Sequence, residues 1–324
     1  MIHLLFTGGT ISMRRDAVAG GNMPAHGGAA LVAFAPGLER IAPFRVEDWA
    51  RVPACHMGPD RLWALRERVR ELVEGPDPAA AERPNGVVVT HGTDILEETA
   101  YLLARTLDPA VPVAVTGAMR TSSDEAWDGP RNLTDAAAVA ASPASAGRGA
   151  MVVFAGRIFA GREAVKVDTM ALEAFAAPHG APLGTVVEGA VRYAAQPDTR
   201  RSGGVLRPKA LRARVALLPL VIGDDGALLD LARPGHDGVV IVAFGSGNMP
   251  PGAVPAMRRW LDEGKPVVLS SRCPRGVVTP AYAFDGGGAQ LVRLGAIPAG
   301  PRTPSQARME LTIALSARAP YGSD

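Results

Sequence analysis

The sequence predicts an α/β protein of two α/β domains, a larger N-terminal one on a mainly parallel sheet and a smaller C-terminal one. Three observations carry that expectation. The chain has 324 residues, a length that suits two domains and allows each a core. Short β-branched runs alternate with stretches of helical periodicity, the spacing of βαβ units and therefore of parallel strands. From Gln196 to Arg214 that alternation breaks, with Pro197, Gly203, Gly204 and Pro208 among scattered Arg and Lys, as in an interdomain connection. The expected boundaries are 1–196 for the first domain, 197–214 for the linker and 215–324 for the second domain.

The elements follow in order. Ile2 to Phe6 is an apolar strand that runs into Thr7-Gly8-Gly9-Thr10-Ile11. Ser12 to Gly28 is rich in Gly, Arg and small residues and lacks helical periodicity, so it reads as a mobile segment suited to an active-site lid. His26 alone in that segment titrates near neutrality, and it reads as a solvated loop residue. Phe44 to Val52 is a strand. Pro59 to Glu74 is a helix with Pro at its start and Gly75 past its end. Leu62, Leu65, Val69, Leu72 and Val73 give that helix one apolar face, which makes Trp63 a packing residue.

Val87 to Val89 follows Pro84-Asn85-Gly86 as a short buried strand. The next helix is expected to be capped by Asp94, with Glu97 completing a capping-box spacing. A strand over Val111 to Val115, a loop from Gly117 to Gly129 and strands Met151 to Phe154 and Arg157 to Ala160 complete the first domain. Beyond the linker, Val215 to Leu220, Gly238 to Ala243 and Pro266 to Leu269 read as short buried strands. Pro250 to Glu263 and Thr303 to Ala317 read as helices.

Composition removes several function classes. Apolar content of 47% and charged content of 20% suit a globular protein. A net charge of +2 offers nothing strong to nucleic acid or to a membrane surface. No apolar run is long enough to cross a bilayer, and the chain enters its first strand at Ile2 with no signal-type segment before it. A cytoplasmic location is the expectation. Cys55 and Cys273 make no disulfide framework, and both read as inert small residues. Gly245-Ser246-Gly247 lacks the third glycine of a dinucleotide fingerprint and no phosphate-binding Gly-Lys-Ser/Thr loop exists. Neither a metal-spaced cluster, a nucleophile elbow nor an internal repeat is present. No cofactor or metal is expected.

Two stretches carry chemistry. In Thr90-His91-Gly92-Thr93-Asp94 a hydroxyl, a carboxylate and the amides of a helix start converge where a strand ends. Negative charge is favoured there, and open α/β folds place their sites at such ends. An ordinary capped helix after a strand would look the same. At Thr7-Gly8-Gly9-Thr10 a second hydroxyl again stands beside glycines at a strand end. A threonine hydroxyl needs a base or an oriented partner before it can act as a nucleophile.

Thr-Gly-Gly-Thr-Ile near the N-terminus, followed by Thr-His-Gly-Thr-Asp-Ile-Leu-Glu-Glu-Thr-Ala-Tyr, resembles the L-asparaginase and glutaminase family of threonine amidohydrolases. The resemblance runs nearly the length of the chain. It includes Thr116-Gly117-Ala118-Met119-Arg120, Asp128-Gly129-Pro130-Arg131-Asn132-Leu133, Lys166 within Ala164-Val165-Lys166-Val167, Gly245-Ser246-Gly247-Asn248 and Ser270-Ser271-Arg272. It implies Thr10 as the nucleophile and Thr93, Asp94 and Lys166 as a hydrogen-bonded triad that moves protons. It also implies a substrate pocket at Gly9, Ala54, Cys55, Gly92 and Asn248, with amides around Gly9 and Thr93 as donors. Sequence physics alone would read Lys166 as a solvated charge; only the resemblance brings it to the site. Leu31 to Leu38 resembles the family's short helix before its second strand. Asn248 resembles a residue contributed by a neighbouring subunit, which implies a homo-oligomer, a dimer or a tetramer.

The chain also departs from the family. It has no tyrosine before Tyr101, where the family's flap carries one. Ala54-Cys55 stands where hydroxyl or amide side chains usually hold the substrate α-carboxylate. Tyr282-Ala283 aligns with the family's acidic residue, and Asp285 is close but offset. The resemblance implies an asparaginase-type amidohydrolase converting L-asparagine to L-aspartate and ammonia through a threonyl ester. Its rivals are an amidase or esterase for another substrate, and a small-ligand-binding homologue with little turnover.

Overall fold

The computed structural model describes residues 1–75, 84–108, 110–195 and 204–322. It divides into two compact units, Met1–Val205 and Leu206–Ser323. The expected linker over 197–214 lies outside the described residues as far as 203.

The strands of the first unit begin with β1 (Ile2–Gly8), β2 (Met13–Asp16), β3 (Gly21–Pro24), β4 (Phe44–Val52), β5 (Gly86–Thr90) and β6 (Val113–Thr116). They continue with β7 (Ala150–Phe154), β8 (Arg157–Ala160), β9 (Val165–Lys166), β10 (Phe175–Ala176), β11 (Gly184–Val187) and β12 (Ala190–Tyr193). Its helices are α1 (Gly28–Ala33), α2 (Leu38–Ile41), α3 (Pro59–Glu74), α4 (Leu96–Thr106) and α5 (Gly129–Ala141). Eight strands form one sheet in the order β12-β11-β8-β7-β6-β5-β1-β4. The run from β4 to β7 is parallel, and β8, β11 and β12 join it antiparallel.

The central strands are apolar along their whole length because both faces are covered. Ile2, Leu4 and Phe6 pack with Leu31, Leu38, Leu133 and Ala136 from α1, α2 and α5. On the opposite face, Leu5, Val87 and Val89 meet Leu65 and Val69 of α3 and Leu96 and Leu103 of α4. The sheet order places β1 beside β5, where the chain changes its direction of travel across the sheet. At such a switch point the loops diverge and leave a crevice.

Several boundaries differ from expectation for local reasons. β6 starts at Val113 because Pro112 has no N–H for a ladder; its carbonyl accepts the Val87 N–H at 2.9 Å. β8 pairs back on β7 through Ala155 and Gly156, both at positive φ, so this pair is a hairpin and not a βαβ step. The segment after Thr10 forms an antiparallel hairpin of β2 and β3, where a structureless lid was expected.

The second unit has parallel strands β13 (Val215–Pro219), β14 (Gly238–Ala243), β15 (Val267–Ser271) and β16 (Ile297–Pro298) in that order. Its helices are α6 (Ala227–Ala232), α7 (Val254–Asp262), α8 (Gly288–Arg293) and α9 (Pro304–Ala317). Met257 and Trp260 of α7 pack on Val239 and Ile241, while Ala307 and Leu311 of α9 pack on Val240 and Val268. Thr303 caps α9 in a reciprocal pair with Gln306. Pro250 to Ala253 precedes α7 as a cap and a short 3₁₀ turn rather than as α-helix.

Candidate functional site

The site is built from the carboxyl end of β1 upward. Gly8 and Gly9 both sit at positive φ, a region that glycine enters without steric cost. A Cβ on Gly8 would lie 2.5 Å from the Val52 carbonyl oxygen, and one on Gly9 would lie 2.4 Å from both Cα and N of Gly92. The loop after β1 therefore rests directly on the loop after β5. Gly92 in turn abuts Ala54, whose Cβ would be 2.6 Å from a Cβ at position 92. Thr7 Oγ1 donates to the Thr90 carbonyl at 2.8 Å and ties the two strand ends together. Thr10, partly exposed, opens a 3₁₀ turn that Ser12 closes by donating its hydroxyl to the Gly9 carbonyl at 2.8 Å.

The structure brings Thr93 and Lys166 together. Lys166 Nζ donates to Thr93 Oγ1 at 2.8 Å, although the residues are far apart in sequence. Thr93 is 4% exposed. Asp94 Oδ1 lies 3.8 Å from Lys166 Nζ, with the Asp94 side chain 63% exposed; this is an open ion pair. When Lys166 donates in this bond, the Thr93 hydroxyl proton is free to serve a second acceptor.

Two expectations about this loop are corrected. Asp94 does not cap α4: the N-cap is Ile95, without a side-chain cap bond. Glu97 closes no capping box on Asp94, and its Oε2 accepts the Lys166 backbone N–H at 2.6 Å. The spacing was right for a capping box, but the helix begins one residue late, at Leu96, and Glu97 turns to the strand carrying Lys166. The Gly9 amide is also not a free donor, since it donates to the Val52 carbonyl at 3.2 Å. The N–H groups of Gly92 and Thr93 meet no acceptor among the described residues. Both remain donors without a protein acceptor, the kind of group an oxyanion site requires.

Neighbouring residues fix the loops. His91 is fully buried, and that burial pushes its imidazole below the usual histidine range. Its Nδ1 lies 2.9 Å from the Gly92 carbonyl, which can only accept, so a neutral ring carries its proton on Nδ1. Nε2 is left to accept from Thr99 Oγ1 at 3.1 Å. Asp128 holds the loop after β6 by accepting from the N–H groups of Met119 and Arg120 at 2.9–3.1 Å. Asn132 donates to Asp128 and to the Gly117 carbonyl, both at 3.0 Å. His91, Asp128 and Asn132 were not assigned these supporting roles from sequence. The signal was their place in motifs next to glycines at strand ends.

The hairpin of β2 and β3 is tied to the loop after β6. Ser122 Oγ lies 2.7 Å from His26 Nε2 and donates to the Met13 carbonyl at 3.1 Å. The His26 ring packs edge-on against Phe34 at 5.3 Å, and Phe34 packs likewise on Trp127. Desolvation, with Arg14 and Arg51 nearby, lowers the His26 pKa. His26 is therefore an anchored residue of the hairpin base and not a solvated loop histidine.

The remaining candidates separate. Ala54 is 4% exposed at the start of a 3₁₀ turn, Ala54–His56, whereas Cys55 is an exposed free thiol. Asn248 belongs to the second unit. There its Oδ1 accepts the Gly288 N–H at 3.0 Å, leaving its amide nitrogen as the group able to face a ligand. Asp285 accepts from Gln290 Nε2 at 3.2 Å. No group of three or more metal-ligating side chains gathers among the described residues, and no helix among them is long and apolar enough to cross a membrane.

Paired threonine loops at a switch point of a parallel sheet, a buried threonine bonded to a lysine and unpaired amides beside it suit hydrolytic chemistry. Residues 1–199 match the family described as Asparaginase, N-terminal, and residues 214–321 match the Glutaminase/Asparaginase C-terminal domain. The chain is 39% identical over 319 residues to a probable L-asparaginase of Deinococcus radiodurans, covering 97% of this chain and 92% of the relative. It is 30% identical over 322 residues to L-asparaginase 2 of Escherichia coli, covering 97% and 88%. The crystal structure of a probable cytoplasmic L-asparaginase from Campylobacter jejuni superposes with a TM-score of 0.83 at 29% identity, over 97% of this chain and 94% of that one. The chain belongs to the asparaginase/glutaminase family of amidohydrolases.

Proposed function

We propose that the protein is an asparaginase-type enzyme that hydrolyses the side-chain amide of L-asparagine to L-aspartate and ammonia. The observation that carries this reading is the 2.8 Å bond from Lys166 to Thr93, on a loop in backbone contact with the loop of Thr10. Thr10 Oγ attacks the amide carbon as its proton passes to Thr93 Oγ1 and the Thr93 hydroxyl proton passes to Lys166 Nζ, which acts in this step as the neutral amine and returns the proton to the leaving nitrogen. The N–H groups of Gly92 and Thr93 receive the developing oxyanion. The C–N bond then breaks, ammonia leaves with the relayed proton, and water attacks the threonyl ester to release the acid and restore Thr10. Asp94, exposed and 3.8 Å from Lys166, is placed to attract the substrate ammonium.

Ala54 tempers the substrate preference. It lies buried against Gly92 and brings no hydroxyl to a substrate α-carboxylate. Leaving a buried charge without a partner costs several kcal/mol, and missing partners discriminate strongly between substrates. The expected kinetics are therefore ammonia release from asparagine with a raised KM, and a small penalty for amides lacking one or both α-charges. A sub-millimolar KM for asparagine with clear preference over the uncharged analogues would overturn that specificity. Turnover only on an unrelated amide would favour the amidase or esterase alternative, and saturable binding without turnover would favour a binding homologue.

The working form is proposed as a cytoplasmic homo-oligomer, a dimer or a tetramer, acting on a small-molecule amide without a cofactor. The description of the Campylobacter relative as cytoplasmic supports the location. A monomer in sedimentation velocity, or activity confined to a periplasmic fraction, would overturn the respective part.

A further inference from the structure

Lys166 is held at both ends by one short stretch of chain. Its Nζ donates to Thr93, and its backbone N–H donates to the carboxylate of Glu97 at 2.6 Å, four residues on in the first turn of α4. The strand it occupies, β9, is two residues long and pairs only with the equally short β10. In that ribbon Val167 N–H reaches the Ala174 carbonyl at 2.8 Å, whereas Lys166 N–H is taken by Glu97. A two-residue ribbon is a weak platform. A lysine on it must also order a flexible four-carbon stem. A charge-assisted bond to the backbone N–H fixes the root from which that stem reaches.

We propose that Glu97 is a positioning residue for the Thr93–Lys166 pair: it registers the Lys166 backbone against the helix that follows Thr93. The amine and the hydroxyl are thereby kept at bonding distance through the reaction. This rests on the reading of Lys166 as the proton carrier of the site. Glu97 acts through the Lys166 backbone and exchanges no proton with the substrate. Because a misplacement of about 1 Å can cost on the order of 10²-fold in rate, its removal acts on kcat and not on substrate affinity.

The test is steady-state ammonia release by Glu97→Ala, Glu97→Gln, Glu97→Asp, Lys166→Met and the Glu97→Ala/Lys166→Met double variant. Glu97→Ala is expected to lower kcat by about tenfold or more with KM within about twofold. Glu97→Gln should retain most of kcat, since its carboxamide oxygen still accepts the N–H. In the Lys166→Met background, Glu97→Ala should add less than about twofold, because nothing remains to be positioned. Should Glu97→Ala fail to fold, Glu97→Asp supplies the same comparison: its shorter carboxylate should fall well below Glu97→Gln. Full kcat in Glu97→Ala, an equal loss in the Lys166→Met background, or a Glu97→Gln no better than Glu97→Asp would each overturn the proposal. Wild-type kcat in Lys166→Met would instead remove the reading of Lys166 beneath it.

Discussion

Three glycine-sized contacts let the loops around Thr93 close. Gly9 touches Gly92, Gly92 touches Ala54, and Gly117 packs so that a Cβ there would lie 2.3 Å from the His91 carbonyl. The hydroxyls at Thr10 and Thr93 are thus delivered by backbone, with Thr93 alone receiving a side-chain partner. Thr10→Ala and Thr93→Ala are each expected to lower turnover by about 10²-fold or more with the fold intact, since each removes one group from a positioned set. Near-normal ammonia release from either variant would remove that threonine from the mechanism. Lys166→Met should lose turnover similarly; a loss of folding by circular dichroism would reassign Lys166 to structure. At this scale the sequence was legible where residue type and strand end coincide, as at Thr10 and Thr93. It was not legible at Lys166, which lies in a segment with neither periodicity nor flanking glycines and meets Thr93 only through tertiary pairing.

Elements whose register is set by core burial were the easiest to read. Pro59–Glu74 has the expected bounds because its buried apolar face and a Pro–Gly bracket specify it locally; Phe44–Val52 also has them, although none of its residues is fully buried. The hairpin of β2 and β3 was missed because its strands are only four residues long, bury no residue fully and show no apolar alternation to detect. What orders it is non-local: Ser122 bonds to His26 and to the Met13 carbonyl, Arg15 N–H donates to Ser123 Oγ at 2.9 Å, and Phe34 bridges His26 to Trp127. Trp127→Ala removes the aromatic end of this tie and leaves the backbone pairing of β2 with β3. The expected result is faster limited proteolysis at the exposed turn between the two strands, with the melting temperature of the whole protein little changed. Proteolysis at the wild-type rate would show that the aromatic contact does not hold the hairpin.

The whole molecule carries opposing proton linkages. His3, His26 and His91 all have lowered pKa values, with burial as the largest cause in each. Such groups bind fewer protons folded than unfolded, so stability is lost as pH falls below the ordinary histidine value of 6.5. Asp135, on α5, acts in the other direction. Burial pushes its carboxyl up to about 6; Oδ2 has no hydrogen-bond partner, and Arg131 stands 3.8 Å away. The folded protein therefore binds this proton more readily than the unfolded chain, whose carboxyl titrates near 3.8. Stability from this group is full below pH 4 and is lost as pH rises through 6, at a cost of about 1–3 kcal/mol. Asp135→Asn removes the buried charge. It should raise the melting temperature by several degrees near pH 7.5, and the gain should vanish below pH 4. Between those limits the histidine losses would stand uncompensated, so the variant's stability should fall more steeply than the wild type's from pH 6.5 to 4.5. Thermal melts across that range measure both effects at once. An Asp135→Asn protein that is less stable at pH 7.5, or that parallels the wild type throughout, would show that Asp135 is ionised without penalty in the fold.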